Sequence, residues 1–255
     1  MHLLITNDDG IKSPGLLALV QAMKPLGKVT IVAPDRNWSA SGHVKTMHRP
    51  LRAYPSQLDD GTPALACDGA PSDCVALALL GLVPEQIDLV VSGINPSANL
   101  GHDVTYSGTV TAAMEAAIAG TQAMAVSLDV PEGHGQDTDF SIAGQVARQI
   151  AERLLAQPMP EGVLLNVNVP YASRADELEL SATRQGLRLY LDELVERSDP
   201  RGRPYYWIGG EPPSGVADPG TDFWALSQGL VSVTPLQLDL TAHEQLSRLN
   251  DWSLA

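Results

Sequence analysis

An open, mostly parallel sheet with helices on both faces is the fold this sequence predicts, and three observations predict it. Short apolar runs bounded by turn residues alternate with longer segments of helical apolar spacing. The first run, Leu3-Leu4-Ile5, has no polar interruption, as a strand buried on both faces requires. Polar loops repeatedly leave the carboxyl ends of these runs, where open parallel sheets bind their ligands.

The elements follow in order. The run from Leu3 is the first, central strand, and it stops at Asn7-Asp8-Asp9-Gly10, where the glycine lets the backbone turn away. Ser13 caps and Pro14 opens a helix whose stripe is Leu16, Leu17, Leu19 and Val20, running to Met23. Val29 to Ala33 is the next strand, left by the polar loop Pro34 to Gly42. Weak alternation predicts short strands over Val44 to Tyr54, and Gln57 to Thr62 is a turn-rich excursion. Cys74 to Leu82 is a small-residue helix, and Ile87 to Val91 a strand left by Ser92-Gly93-Ile94-Asn95. The loop Pro96 to Tyr106 is long for a compact domain, which marks it as functional. Ser107-Gly108-Thr109 opens a helix to about Ala119, and Ala123 to Leu128 is a strand. Asp137-Thr138-Asp139 caps a helix from Phe140 to Leu155. Val163 to Val169 is a strand closed by Pro170.

Beyond Pro170 the character changes. Leu187 to Val195 and Tyr205 to Ile208 flank the turn Asp199-Pro200-Arg201-Gly202 and predict a projecting hairpin. Tyr190, Tyr205, Tyr206 and Trp207 concentrate there in a chain only 5% aromatic, which favours oligomer contact over stacking on a base. Glu211 to Asp222 reads as loop, Phe223 to Leu226 as one helical turn, Gly229 to Pro235 as a late strand and Glu244 to Trp252 as a terminal helix. The chain thus divides into a core over 1–170 and, over 171–255, a hairpin and C-terminal segment used in oligomerisation.

With 255 residues, 44% of them hydrophobic, the chain can bury a sizeable core. A formal net charge of -14 argues against long nucleic acid, which needs basic stripes, but leaves room for a small anion at a local cation or helix end. Cys67 and Cys74 sit among small apolar residues and read as buried free thiols. No signal-type segment opens the chain and no apolar stretch spans a bilayer, so a cytoplasmic protein without membrane contact is expected.

The strand-end loops bring together Asp8-Asp9, Ser39, Asn95 and Ser107-Gly108-Thr109. Adjacent carboxylates repel, and away from solvent one must be protonated or a cation must sit between them. Two carboxylates, a hydroxyl and an amide carbonyl form a partial octahedron of hard oxygens for Mg²⁺, Mn²⁺ or Ca²⁺. The start of a helix, with a glycine and two hydroxyls, suits a tetrahedral oxyanion. Together these predict metal-assisted phosphoryl hydrolysis. Each piece also has a plain reading: a solvated turn at Asp8-Asp9-Gly10, a turn-forming Asn95, a helix cap at Ser107. Asn7 binds phosphate or braces the Asp8 loop. Asp35 and Arg36 form an internal ion pair, His102 and Asp103 are placed to touch substrate, and His243 starts a helix near Asp239. Two other functions fit the same residues: a phosphatase using Asp8 as a covalent nucleophile, and a non-catalytic nucleotide-binding module. No Gly-x-Gly-x-x-Gly follows the first strand, against dinucleotide binding.

Asn7-Asp8-Asp9-Gly10, Ala33-Pro34-Asp35-Arg36-Asn37, Gly69-Ala70-Pro71-Ser72-Asp73-Cys74, Ser92-Gly93-Ile94-Asn95 and Tyr106-Ser107-Gly108-Thr109-Val110 together resemble the SurE family of stationary-phase survival proteins. The resemblance continues through Leu165-Asn166-Val167-Asn168-Val169-Pro170, Asp199-Pro200-Arg201-Gly202, Thr221-Asp222-Phe223 and Val231-Ser232-Val233-Thr234-Pro235-Leu236. It implies a Rossmann-like fold and hydrolysis of nucleoside 5′- and 3′-monophosphates with one divalent cation, Mg²⁺ or Mn²⁺. It implies Asp8, Asp9, Ser39 and Asn95 as metal ligands, Asp8 and Asp9 being the catalytic carboxylates. Asn7, Asn95, Ser107, Gly108 and Thr109 would meet the phosphate, and a homodimer or homotetramer would exchange C-terminal segments. The sequence departs from the usual pattern at Ala40, where glycine is common, with Ser41 as a second hydroxyl just behind Ser39, at Pro96-Ser97 after Asn95, and at Ser72.

Overall fold

A computed structural model of the chain describes residues 1–131, 133, 138–171, 178–250 and 252. The first strand, β1 (His2–Thr6), is buried along its whole length. Leu3 and Ile5 pack on one face while Leu4 packs on the other, which is why the run needs no polar residue. After α1 (Pro14–Met23), capped by Ser13 Oγ accepting from Leu16 N at 3.1 Å, the chain returns in β2 (Lys28–Pro34). β3 (Ala53–Gln57) and β4 (Pro63–Cys67) form an antiparallel pair through the tight 58–62 turn. Next come α2 (Pro71–Leu77), β5 (Leu89–Asn95), α3 (Gly108–Ile118), β6 (Gln122–Asp129), α4 (Ser141–Ala156) and β7 (Val163–Pro170). The C-terminal part adds β8 (Leu180–Ala182), the hairpin β9 (Leu187–Ser198) and β10 (Pro204–Val216), α5 (Asp222–Ser227), β11 (Val231–Gln237) and α6 (Leu246–Asn250).

Nine strands form one sheet in the order β3-β4-β2-β1-β5-β6-β7-β11-β8, and β9 and β10 pair apart from it. Within the large sheet β3–β4 and β7–β11 are antiparallel and the other pairings parallel. One core lies under α1 and α4, with Leu16, Leu19, Val20, Val146 and Ile150 against Leu3, Ile5, Val91 and Met124. The other lies under α2 and α3, with Cys74, Val75, Val110 and Ala113 against Leu4, Val32 and Val90. This is the predicted sheet with helices on both faces. Both cysteines are free and buried, as expected. No helix among the described residues is long and apolar enough to cross a membrane.

Several boundaries differ from expectation. The segment 43–52 is loop rather than short strands, because side chains far along the chain take its polar groups. Glu115 meets His43 Nε2 at 3.0 Å and Lys45 Nζ at 2.9 Å, and Asp73 accepts from Thr46 N at 2.9 Å and Thr46 Oγ1 at 2.6 Å. β4 and β8 were not expected. α2 begins at Pro71, with Asp73 accepting from Ala70 N at 2.9 Å, and runs into a wider π turn over Ala78–Leu82. β10 continues through 211–216, expected to be loop. The terminal helix is short: a 3₁₀ turn over His243–Gln245, then α6. At α4, Asp139 Oδ1 accepts from Ser141 N at 2.8 Å, while Asp137 lies outside the described residues.

The Glu115 contacts give a pH-dependent prediction. His43 first, then Lys45, hold the Glu115 carboxyl below its usual 4.5. A depressed carboxyl contributes stability that is full above 4.5 and lost as pH falls through its folded value. Glu115→Gln is expected to lower the urea midpoint at neutral pH, equivalent to about 1 kcal/mol, with the gap closing in acid. Equal midpoints at neutral pH would remove Glu115 from this role.

Candidate active site

β1 ends at the centre of the sheet's C-terminal edge, flanked by β2 and β5. Asn7 is buried, and both ends of its amide serve the turn that follows. Its Nδ2 donates to Gly10 O at 3.1 Å and Ser13 Oγ at 2.9 Å, and its Oδ1 accepts from Gly10 N at 3.2 Å. Of its two readings, these contacts are those of a brace. Gly10 has φ +98°, and a Cβ there would lie 3.0 Å from the Arg36 carbonyl carbon, so the turn packs directly on the loop leaving β2.

Asp8 is 3% exposed. Its Oδ1 accepts from Thr109 Oγ1 at 2.5 Å, and the backbone of Gly108 and Thr109 at the start of α3 acts on the carboxyl pKa in the same, lowering direction. Gly108 permits this approach, because a Cβ there would lie 2.7 Å from Asp8 Cβ and 3.0 Å from Oδ2. The unpaired amides that open α3 therefore stabilise Asp8. Burial nevertheless pushes the Asp8 carboxyl up. Burial, then the Asp8 charge, raises Asp9 to about 7. Two adjacent acids that resist ionising together are what a cation between them would relieve.

The other predicted residues gather around this pair. Trp38 N donates to Asp8 O at 2.7 Å, which lays the Ser39 loop against β1. Asn37 links Asp9 to that loop, with its Nδ2 3.4 Å from Asp9 Oδ1 and its Oδ1 accepting from Ser39 N at 2.7 Å. Ser39 is exposed, while the Ser41 hydroxyl oxygen is buried with no protein partner among the described residues. Asn95, 8% exposed, closes β5; its Nδ2 donates to Ser97 O at 2.6 Å and Ser97 Oγ at 3.1 Å. No donor among the described residues holds its Oδ1. Pro96, the next residue, lines one cleft of about 490 Å³ with Asp9, Ser13, Gly15 and Phe140. Ser107 Oγ caps α3 by accepting from Val110 N at 3.2 Å, which leaves its own proton for another acceptor. Thr109 is fully buried with its hydroxyl on Asp8, so its side chain reaches the site through that carboxylate.

These residues fit a hard divalent cation. The donors are carboxylate, hydroxyl and amide oxygens, the carboxyls are raised, and Asn95 Oδ1 lacks a donor among the described residues. Among the described residues no cluster of three or more His, Cys, Asp or Glu forms, so neutral oxygens must complete the set. A larger cavity, about 1150 Å³, lies at the opposite edge of the sheet among Met1, Asp88, Gly120 and Leu154 and holds none of these residues.

Elsewhere Asp35 and Arg36 form the expected ion pair at 3.2 Å. His243 Nε2 lies 2.6 Å from Asp239 Oδ2. Asp103, placed by sequence near substrate, is instead taken by the hairpin: Arg188 Nε lies 2.8 Å from Oδ2, and Tyr190 donates to Oδ1 at 2.5 Å. Asn37, Asn99 and Asn168 were not singled out for the site. Asn99 anchors the long loop, its N donating to Asn168 Oδ1 at 2.8 Å and its carbonyl accepting from Asn166 and Asn168 at 2.9 and 3.1 Å. Asn166-Val167-Asn168, polar at alternate positions in an otherwise apolar strand, was the available signal.

The fold is that of an open α/β protein, with its candidate ligand site on the C-terminal edge of its sheet. Comparison with known proteins then narrows the class. Residues 3–192 match the family described as Survival protein SurE, and the chain belongs to that family. It is 54% identical over 250 residues to the 5′-nucleotidase SurE of Herpetosiphon aurantiacus, covering 98% of this chain and 97% of that one. It is 50% identical over 252 residues to the 5′-nucleotidase SurE of Chloroflexus aggregans, covering 99% of each. The crystal structure of the SurE protein from Aquifex aeolicus superposes with a TM-score of 0.83 at 39% identity, covering 99% of both chains.

Proposed function

We propose that this chain is a 5′-nucleotidase, a phosphoric monoester hydrolase that releases phosphate from nucleoside monophosphates with the help of one divalent cation, Mg²⁺ or Mn²⁺. The observation that carries the proposal is the contact of Asp8 with the N-terminus of α3, beside Asp9 and the ends of β2 and β5. It agrees with the names of full-length relatives at 54% and 50% identity. Asp8, Asp9, Asn95 and a hydroxyl of the Ser39–Ser41 loop would hold the cation. When bound, the cation supplies Lewis acidity and a water of lowered pKa. Ser107 offers its hydroxyl proton to a phosphate oxygen, and the positive end of α3 favours the dianion. A 3′-phosphate presents the same dianion, so 3′-monophosphates are substrates too. The covalent alternative is disfavoured, because the adjacent Asp8 and Asp9 leave no spacer residue to set a second carboxylate as acid/base opposite the nucleophile. A reducing cytoplasm is the compartment proposed for it, and two buried free thiols agree with that. The deciding experiment is turnover of 5′- and 3′-AMP with Mn²⁺ or Mg²⁺ against the same assay with chelator. Equal turnover in chelator would overturn the metal, and none in any condition would overturn the activity.

The assembly is a homodimer or homotetramer built through the outer part of the hairpin and an exchanged C-terminal segment, while β8 and β11 stay in the sheet of their own chain. Tyr206, Trp207 and Ile208 on the hairpin are 56%, 65% and 83% exposed, a density of bare apolar surface that a monomer rarely carries. Light scattering at micromolar concentration is expected to give at least twice the chain mass of 27.1 kDa. A monomeric mass throughout that range would contradict it.

A further inference from the structure

The hairpin and the substrate edge meet at Asp103. Its side chain faces the hairpin and is 21% exposed. Tyr190 Oη donates to Oδ1 at 2.5 Å, and Arg188 Nε lies 2.8 Å from Oδ2. The Arg188 N–H is not directed along that line, so this contact is an ion pair rather than a hydrogen bond. The Arg188 guanidinium also stacks on Phe223, 5.6 Å from the ring centre. The backbone of Asp103 faces the other way. Its carbonyl accepts from Tyr106 N at 2.9 Å and Ser107 N at 3.0 Å, and Tyr106 O in turn accepts from Gly42 N at 2.9 Å. One residue therefore joins β9 to the cap of α3 and to the loop that carries Ser39 and Ser41.

A second tie runs alongside. Buried Asp222 accepts from Gly101 N at 2.8 Å and from Gly186 N, at the foot of β9, at 2.7 Å. Gln185 Nε2 donates to Gly101 O at 2.9 Å. A Cβ on Gly101 would lie 2.6 Å from Gly186 O, so the long loop and the foot of the hairpin meet backbone to backbone.

We infer that Asp103 is a positioning residue, through which Arg188 and Tyr190 of the hairpin hold Ser107 in its place at the cap of α3. Order in the hairpin is thereby transmitted to the phosphate side of the site. The statement about catalysis rests on the proposed function, while the coupling rests on the contacts alone.

The test pairs an activity-independent readout with a kinetic one, on Asp103→Ala and on the double variant Arg188→Gln with Tyr190→Phe. Hydrogen exchange is expected to speed about tenfold at the Tyr106 and Ser107 amides in both, with peptides from α1 and α4 unchanged. KM for AMP and the inhibition constant for inorganic phosphate are expected to rise about tenfold, with a smaller change in kcat and partial recovery in Arg188→Lys with Tyr190 intact. Unchanged exchange at those amides, or a change spread equally over α1 and α4, would overturn the inference. So would faster exchange with KM and phosphate inhibition untouched. A wild-type protein that hydrolyses no nucleoside monophosphate would overturn the proposed function instead, and the exchange data would still decide the coupling.

Discussion

Asp8→Asn is expected to weaken Mn²⁺ binding strongly and to lower kcat/KM for AMP by roughly a hundredfold or more. The Asp8 carboxyl accepts from Thr109 Oγ1 and faces the backbone that opens α3. An asparagine can turn only its single oxygen to them, and its NH₂ then meets either a donor or the cation site. The substitution also removes the charge that helps to hold Asp9 protonated. In the metal-free wild type Asp9 is raised from 3.8 to about 7, so the folded state keeps a proton that the unfolded chain releases. Stability therefore falls as pH rises across that window. The variant is expected to show a shallower fall and to fold at least as well as wild type near neutral pH. Loss of activity with retained stability separates a site role from a structural one. Near-normal metal affinity and turnover in folded Asp8→Asn would sink the assignment.

The parts of the fold that were legible in the sequence are those whose burial is local. Leu3-Leu4-Ile5 reads as a strand because both faces of β1 meet apolar helices, and Ser13-Pro14 reads as a helix start because capping is a short-range event. The segment 43–52 was misread because Asp73 and Glu115 decide its backbone, and no window of sequence contains all three. The Gly- and Pro-rich end of β10 looked like loop because its partner, the start of β9, lies on the far side of the hairpin turn. The same distinction holds in the site. Motif residues Asp8, Asp9, Asn95 and Ser107 were legible as a set, since strand ends in a parallel sheet share one edge. The direction of the Thr109 hydroxyl was not, because it depends on how closely α3 approaches β1. Asp103 was misplaced for a similar reason, its partners lying on a hairpin far along the chain.

That close approach of α3 makes Gly108→Ala the sharper test. The glycine sits at the first position of α3 with no positive φ, so alanine fits its backbone and, by helix propensity, is favoured there. The nearest atoms to the added Cβ all belong to Asp8: Cβ at 2.7 Å, Oδ2 at 3.0 Å and Cγ at 3.2 Å. Turning the carboxylate cannot relieve the 2.7 Å contact, because Asp8 Cβ keeps its place, so either α3 withdraws from β1 or the Asp8 turn shifts as a whole. The buried Val110, Ala112 and Ala113 fix α3 against the sheet, so the turn that carries Asp8 is the part that shifts. The expected protein is folded, with a melting temperature somewhat below that of wild type. Its metal affinity should be reduced, and its kcat/KM lowered by roughly a hundredfold. Thr109→Val removes only the hydroxyl and should shift both quantities the same way by less, since α3 keeps its place against Asp8. The ordering matters: a larger loss in Thr109→Val than in Gly108→Ala would mean that the hydroxyl acts on substrate directly. A folded Gly108→Ala protein with wild-type Mn²⁺ affinity and turnover would show that Asp8 need not stand where α3 holds it.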